Sequence, residues 1–351
     1  MMNSDVLSIA GRPIGTGHAP YIIAEMSGNH NGEISRAFEI MAAAKSAGAD
    51  AVKLQTYTAD TITIDHDSVD FRIEDGLWAG RKLYELYTEA HTPWEWHEAL
   101  FAKGRELDLT VFSSPFDATA IDFLESLDAP AYKIASFELI DLPLIRKAAA
   151  TGKPLIMSTG IANLAEIEAA ITAAQSAGAA GVALLHCTSG YPTPVEDSNI
   201  RTIPHLRQAF GLATGLSDHT MGIGVAISAV ALGADIIEKH FTLRRADGGP
   251  DAAFSLEPEE LANLCEAAGF AWKSLGEVSY ERQPSEKTNA KFRRSLYVVE
   301  DICEGETFSA TNIRSIRPGY GLPPRLYDFL IGKRANRDVK RGTPLSWDLI
   351  G

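Results

Sequence analysis

The strongest constraint on the fold is a rhythm. Short apolar runs rich in Val, Ile and Leu recur between longer Ala- and Glu-rich stretches of helical period, the pattern of a parallel sheet built from βα units. Eight runs are present, 21–26, 51–57, 109–116, 131–136, 154–160, 181–188, 213–220 and 235–242. Their starts lie on average about 31 residues apart, the spacing of a (β/α)8 barrel. The intervening stretches, such as EISRAFEIMAAAKSAGAD and NLAEIEAAITAAQSAGAA, each carry Gly near the end, where a helix C-cap wants it. One interval is much longer than the rest. Between Thr58 and Thr92 it inserts DFRIEDGLWAGRKLYELYTEAH, which follows the second strand and is expected to form a lid over the catalytic face.

A last helix is expected at 258–275 and closes a catalytic domain spanning 1–275. A polar segment without apolar periodicity, 276–290, reads as a linker. Residues 291–351 contain short apolar pieces broken by Gly, Pro and Asn, a small, loop-rich, mostly β domain. With 45% hydrophobic and 22% charged residues the chain is globular, and a net charge of -14 argues against binding nucleic acid or anionic membranes through charge. No signal peptide or membrane-length apolar stretch is visible, so a soluble, cytoplasmic protein is expected. Cys187, Cys265 and Cys303 suggest neither disulfides nor a zinc knuckle.

Active sites of such barrels lie at the C-terminal ends of the strands, and polar residues stand at every strand end here. Residues two apart share a face, so Lys53 pairs with Gln55, Ser217 with His219, and Glu238 with His240. Turned inward, His219 and His240 top adjacent strands and suit one divalent metal, leaving Lys239 facing the helices. The bland alternative is two unrelated histidines, one in a loop and one hydrogen-bonded in the core. Lys53 and Lys133, with hydroxyls of Ser136, Ser158 and Ser217, form a donor-rich wall for a phosphate and a carboxylate. Alternatively, each lysine is paired with Glu25 or Glu238, or one forms a Schiff base as in a metal-free aldolase. Asp251 lies in a Gly/Pro turn after the last strand that could close over a substrate.

The chain resembles the sialic acid synthase family, which condenses phosphoenolpyruvate with amino sugars. The motifs are AEMSGNHNG, AVKLQTYT, FSSPFD, YKIAS, MSTG, HCTSGYPTP, GLSDHT, EKHFT and GGPDAAFSLEP, in order over nearly the whole length. The tail, with NIRSIRPGYGLPP, is similar to the antifreeze-like domain of such synthases. The resemblance implies a metal on His219 and His240, most readily Mn2+ with Mg2+ or Co2+ as alternatives. It implies that Lys53, Lys133, Ser136, Ser158 and Ser217 bind phosphoenolpyruvate, with Gln55, Ser114 and Tyr191 as further substrate contacts. Glu25 and Asp251 fall at the sugar end, and Glu25, Glu238 and Asp251 are the candidate catalytic carboxylates. Sialic acid members usually have Asn where this chain has Ser189. The motifs look most like the branch acting on 2,4-diacetamido-2,4,6-trideoxy-L-altrose, with the legionaminic acid and N-acetylneuraminate branches as alternatives. The family also implies a homodimer in which Arg293 or Arg294 of one tail reaches the acetamido sugar on the partner barrel.

Overall fold

The computed structural model describes residues 5–351. All eight apolar runs contain the strands of one closed parallel barrel. An N-terminal hairpin precedes them, so the barrel strands are β3 (Tyr21–Glu25), β4 (Ala51–Thr56), β5 (Thr110–Pro115), β6 (Tyr132–Ile134), β7 (Leu155–Ser158), β8 (Val182–Cys187), β9 (Ala213–Asp218) and β10 (Ile236–His240). β10 pairs with β3 and closes the ring. The outward faces of the strands pack on the surrounding helices through Val52, Leu54, Tyr132, Ile134, Leu184 and Ile237, a continuous apolar layer. This double burial is why the strands read as nearly unbroken apolar runs.

The hairpin, β1 (Val6–Ile9) and β2 (Arg12–Gly15), was not anticipated from the sequence. Its Leu7, Ile9 and Ile14 join the inward residues Tyr21, Ile23, Phe112, Ile156 and Leu185 in a second apolar cluster. The hairpin thereby plugs the N-terminal end of the barrel, and the polar side chains gather at the other end. The final barrel helix spans Pro258–Leu275 as the sequence suggests.

The chain divides after Gly276, with the second unit at Glu277–Gly351. The polar segment before the tail is not featureless: 3-10 turns run over Pro284–Phe292, started by a capping box of Gln283 and Glu286 with Pro284 at the first position. The tail has its own core of Leu296, Val298, Ile302, Phe308, Ile313 and Leu345. Its two regular strands, β11 (Ser295–Val298) and β12 (Ile313–Ile316), are antiparallel and supplemented by isolated bridges. Among the described residues no helix is long and apolar enough to cross a membrane.

Candidate active site

Pleat alternation sorts the polar strand ends into two sets. The outward set supports the scaffold. Lys239 donates to Asp218 at 3.0 Å and to the carbonyls of Thr220 and Gly222 at 2.6 and 2.9 Å, tying β9 to β10 behind the site. His186 bonds the Ser198 carbonyl at 2.7 Å, Ser113 meets Thr56 at 2.6 Å, and Asp117 caps the helix Ala118–Ser126. Asn29 bridges the Phe241 carbonyl and Ser255 at 3.0 and 2.9 Å. The polar density of the strand ends thus divides between scaffold and site.

The inward set converges. Lys53 Nζ lies 2.9 Å from Glu25 and 3.2 Å from Glu238, and Lys133 Nζ lies 3.5 Å from the same Glu238 oxygen. Pairing with barrel carboxylates, one of the readings open from sequence, is therefore present, and it builds the site rather than replacing it. Ser217 donates to Glu238 at 3.2 Å, and Lys53 reaches Ser114 at 3.4 Å. Gln55 donates to Glu25 at 2.9 Å and to Ser27 at 3.1 Å, and Ser27 donates in turn to Asp251. Asp251 stands 3.6 Å from Nδ1 of His240. A polar chain thus runs from Lys53 through Glu25, Gln55 and Ser27 to Asp251, which stands beside His240.

Charges in this chain are unequal. Burial, with Glu238 nearby, pushes Glu25 up to about 7 against the pull of Lys53. Burial alone would raise Glu238 as well, but Lys133 and Lys53 outweigh it and bring that carboxyl to about 2. One carboxylate near neutrality beside one held ionised is a division of labour suited to proton transfer and cation stabilisation.

The two imidazoles have ring centroids 5.3 Å apart. His219 Nδ1 faces the Thr188 carbonyl at 3.2 Å, a contact that fixes a tautomer with Nε2 as the lone-pair donor. Burial holds His240 well below its ordinary pKa, and its Nδ1 has no hydrogen-bond partner. Two buried imidazoles on adjacent strands, that of His240 neutral with a free Nδ1 and that of His219 oriented by the Thr188 carbonyl, fit a divalent cation. Among the described residues no third His, Cys, Asp or Glu completes a ligand set, so the remaining positions would fall to water and substrate.

Gly160 lies against hydroxyls on two neighbouring elements. Its amide donates to Ser136 Oγ at 3.1 Å, and a Cβ there would stand 2.2 Å from Ser189 Oγ. Ser158, two residues before it, is buried with an unpartnered hydroxyl. These groups form an open cradle of donors. Tyr191 sets its ring tilted against that of His219, with centroids 4.5 Å apart. Four residues of the site escaped the sequence reading: Ser27, Gly160, Glu138 and Trp78. Glu138 lines the cavity with Oε2 unpartnered, and burial pushes it up to about 7. Only its place two residues beyond Ser136 could have marked it. Arg293 and Arg294 are both exposed in the second unit, and Arg294 donates to the Ser315 carbonyl at 3.1 Å.

Comparison with known proteins matches residues 40–280 to the NeuB family and residues 293–351 to the SAF domain. The chain is 44% identical over 332 residues to the pseudaminic acid synthase of Helicobacter pylori, covering 94% of this chain and 98% of that protein. It is 37% identical over 329 residues to the N,N'-diacetyllegionaminic acid synthase of Campylobacter jejuni, covering 91% and 96%. Among solved structures it is similar to the N-acetylneuraminic acid synthetase of Leptospira borgpetersenii in complex with citrate, at TM-score 0.74 and 30% identity, covering 83% of this chain and 96% of that one.

Proposed function

This chain belongs to the NeuB family, and from that membership we propose that it condenses phosphoenolpyruvate with 2,4-diacetamido-2,4,6-trideoxy-L-altrose, giving pseudaminic acid and phosphate. The observation that carries this reading is the convergence of Lys53, Lys133, Glu25 and Glu238 with His219 and His240 at one end of the barrel. Identity that is higher to a pseudaminic acid synthase than to a legionaminic acid synthase, 44% against 37%, supports the choice of branch.

His219 and His240 would hold a divalent cation, Mn2+ in our assignment with Mg2+ or Co2+ as alternatives, which when bound supplies Lewis acidity toward the sugar aldehyde. The remaining chemistry belongs to the chain. Lys53 and Lys133, with Ser136, Ser158, Ser217 and the Gly160 cradle, bind the phosphate and carboxylate of phosphoenolpyruvate, with Ser114 and Ser189 beside them. Carbon 3 of phosphoenolpyruvate bonds to the aldehyde carbon, whose oxygen takes a proton, and positive charge develops at C2 facing the ionised Glu238. Glu25 accepts a proton from the water that adds at C2. The bond between C2 and the phosphate oxygen then breaks, phosphate leaves with the electron pair and takes the proton of the new C2 hydroxyl, and C2 becomes the keto carbon. Asp251 and Gln55 orient sugar hydroxyls, and Tyr191 shields the His219 face. The substrate is a central metabolite, which supports a cytoplasmic location. We also assign a homodimer in which Arg293 or Arg294 serves the partner's sugar site.

The test is phosphate release from phosphoenolpyruvate with the trideoxy sugar. Chelation should abolish it and Mn2+ restore it. His219→Ala and His240→Ala should each lower turnover by at least about 100-fold, retain the folded circular dichroism spectrum, and lose Mn2+ binding in calorimetry. Activity that survives chelation, with borohydride trapping at Lys133, would establish Schiff-base chemistry instead.

A further inference from the structure

The cavity above the histidines holds about 630 Å3 and has two chemically different parts. Ser27, Gln55, Asp251 and His240 make the polar part already described. The other part is supplied chiefly by the insertion after β4, through Ile73, Trp78 and Leu83, with Phe137 from the loop after β6. The condensation as described above uses none of these apolar side chains.

Trp78 is positioned, not loosely displayed. Its indole N–H donates to the Pro250 carbonyl at 2.9 Å, one residue before Asp251. Its ring lies tilted against Tyr191 with centroids 5.6 Å apart, and Tyr191 itself contacts His219. Only one aromatic ring separates Trp78 from the histidine pair. The turn that presents it is built for the purpose. Gly76 and Gly80 flank it at φ +86° and +85°, a conformation that favours glycine. The Ile73 amide donates to the Arg81 carbonyl at 2.9 Å and Gly80 donates back to Ile73 at 2.8 Å, closing the turn.

Resting on the condensation proposed above, we infer that Trp78 and Ile73 determine sugar specificity by packing on the methyl groups of a deoxy, N-acetylated sugar. The chemistry of the lining matches that ligand. A 2,4-diacetamido-6-deoxy sugar presents three methyl carbons and two amide N–H groups. Apolar side chains suit the methyls, while Asp75 and Glu138 in the same lining offer acceptors to the amides. A sugar keeping its 6-hydroxyl would bury that group against hydrocarbon without a partner. An apolar wall of this kind discriminates by about 10- to 200-fold, not more, because it rejects a hydroxyl only through lost hydration.

The experiment measures kcat/KM for the trideoxy sugar and for its 6-hydroxy analogue, with saturating phosphoenolpyruvate, in the native enzyme and in Trp78→Ala, Trp78→Phe and Ile73→Asn variants. The native enzyme is expected to prefer the deoxy sugar by roughly 10- to 200-fold. Trp78→Ala and Ile73→Asn should shrink that preference by about tenfold or more, through KM for the sugar, with KM for phosphoenolpyruvate changed less than about twofold. Trp78→Phe, which keeps an apolar ring and loses the N–H, should retain the preference. Native enzyme that releases no phosphate with either sugar overturns the condensation reading itself. An active native enzyme whose preference is unchanged in both Trp78→Ala and Ile73→Asn overturns the specificity assignment alone. So does a Trp78→Phe variant as impaired as Trp78→Ala, since the hydrogen bond to Pro250 and not the apolar face would then matter.

Discussion

Lys53 stands between Glu25 and Glu238, so its removal does two things at once. Lys53→Met takes away an anion contact, and KM for phosphoenolpyruvate should rise at least about tenfold while KM for the sugar changes little. It also leaves two buried carboxyls short of their cation, which should lower stability by about 3–5 kcal/mol in denaturant unfolding. Equal rises in both Michaelis constants would make this lysine structural only. Glu138 presents the opposite case, a carboxyl that its surroundings penalise when charged. Burial pushes it up to about 7, above its value in the unfolded chain. The folded protein therefore keeps a proton that the unfolded chain gives up, and stability falls as pH rises from the ordinary carboxyl range toward 7, then levels off. Glu138→Gln removes that loss. The variant should match the native protein near about pH 5 and exceed it by on the order of 1–2 kcal/mol near about pH 8, a figure reduced for partial exposure. A variant less stable at the higher pH would show that the charged carboxylate has a stabilising partner.

At the scale of elements, what could be read from sequence was whatever repeats. Eight doubly buried strands leave eight apolar runs, and the two-residue pleat correctly separated His240 from Lys239 and brought Lys53 onto the face of Gln55. Features that depend on one contact leave no such trace. The hairpin of β1 and β2 is only four residues on each side, too short to show a period, and its role as a plug exists only once Leu7 and Ile9 meet the barrel interior. Glu138 sits on a 3-10 turn outside any strand, and Trp78 lies in an irregular insertion where no periodicity points inward. Gly160 is the clearest instance: its importance is the space it leaves between the tops of β6, β7 and β8. A methyl there would come within 2.7 Å of Ser136 Oγ as well as meeting Ser189, so both hydroxyls must move. Gly160→Ala should cost about 1–3 kcal/mol of stability by overpacking and raise KM for phosphoenolpyruvate by about tenfold. Unchanged binding with only a stability loss, read from a thermal scan beside the kinetics, would remove Gly160 from the anion cradle.

The whole molecule poses the question of why a barrel with a complete polar end carries a separate tail with its own core. Two adjacent arginines, Arg293 and Arg294, stand exposed at its start, with Arg294 also donating to the Ser315 carbonyl. We propose that this pair completes the sugar site of a partner chain, and the connecting segment permits it. Eight extended residues at roughly 3.3 Å each, then nine in 3-10 turns at about 2 Å each, reach on the order of 45 Å, far enough to leave the parent barrel. Reach alone does not distinguish a neighbour's mouth from the chain's own, but subunit mixing does. His240→Ala abolishes a barrel, and the double change Arg293→Ala, Arg294→Ala abolishes a tail, so each homodimer should be inactive. If tails are exchanged, a heterodimer joins the intact barrel of one chain to the intact tail of the other at one of its two sites. Equal mixing makes half of the dimers mixed, so about a quarter of native activity should return. No recovery, with exchange confirmed by native mass spectrometry, would mean that each tail serves its own barrel. A double arginine variant that is active on its own would mean that neither arginine touches the sugar.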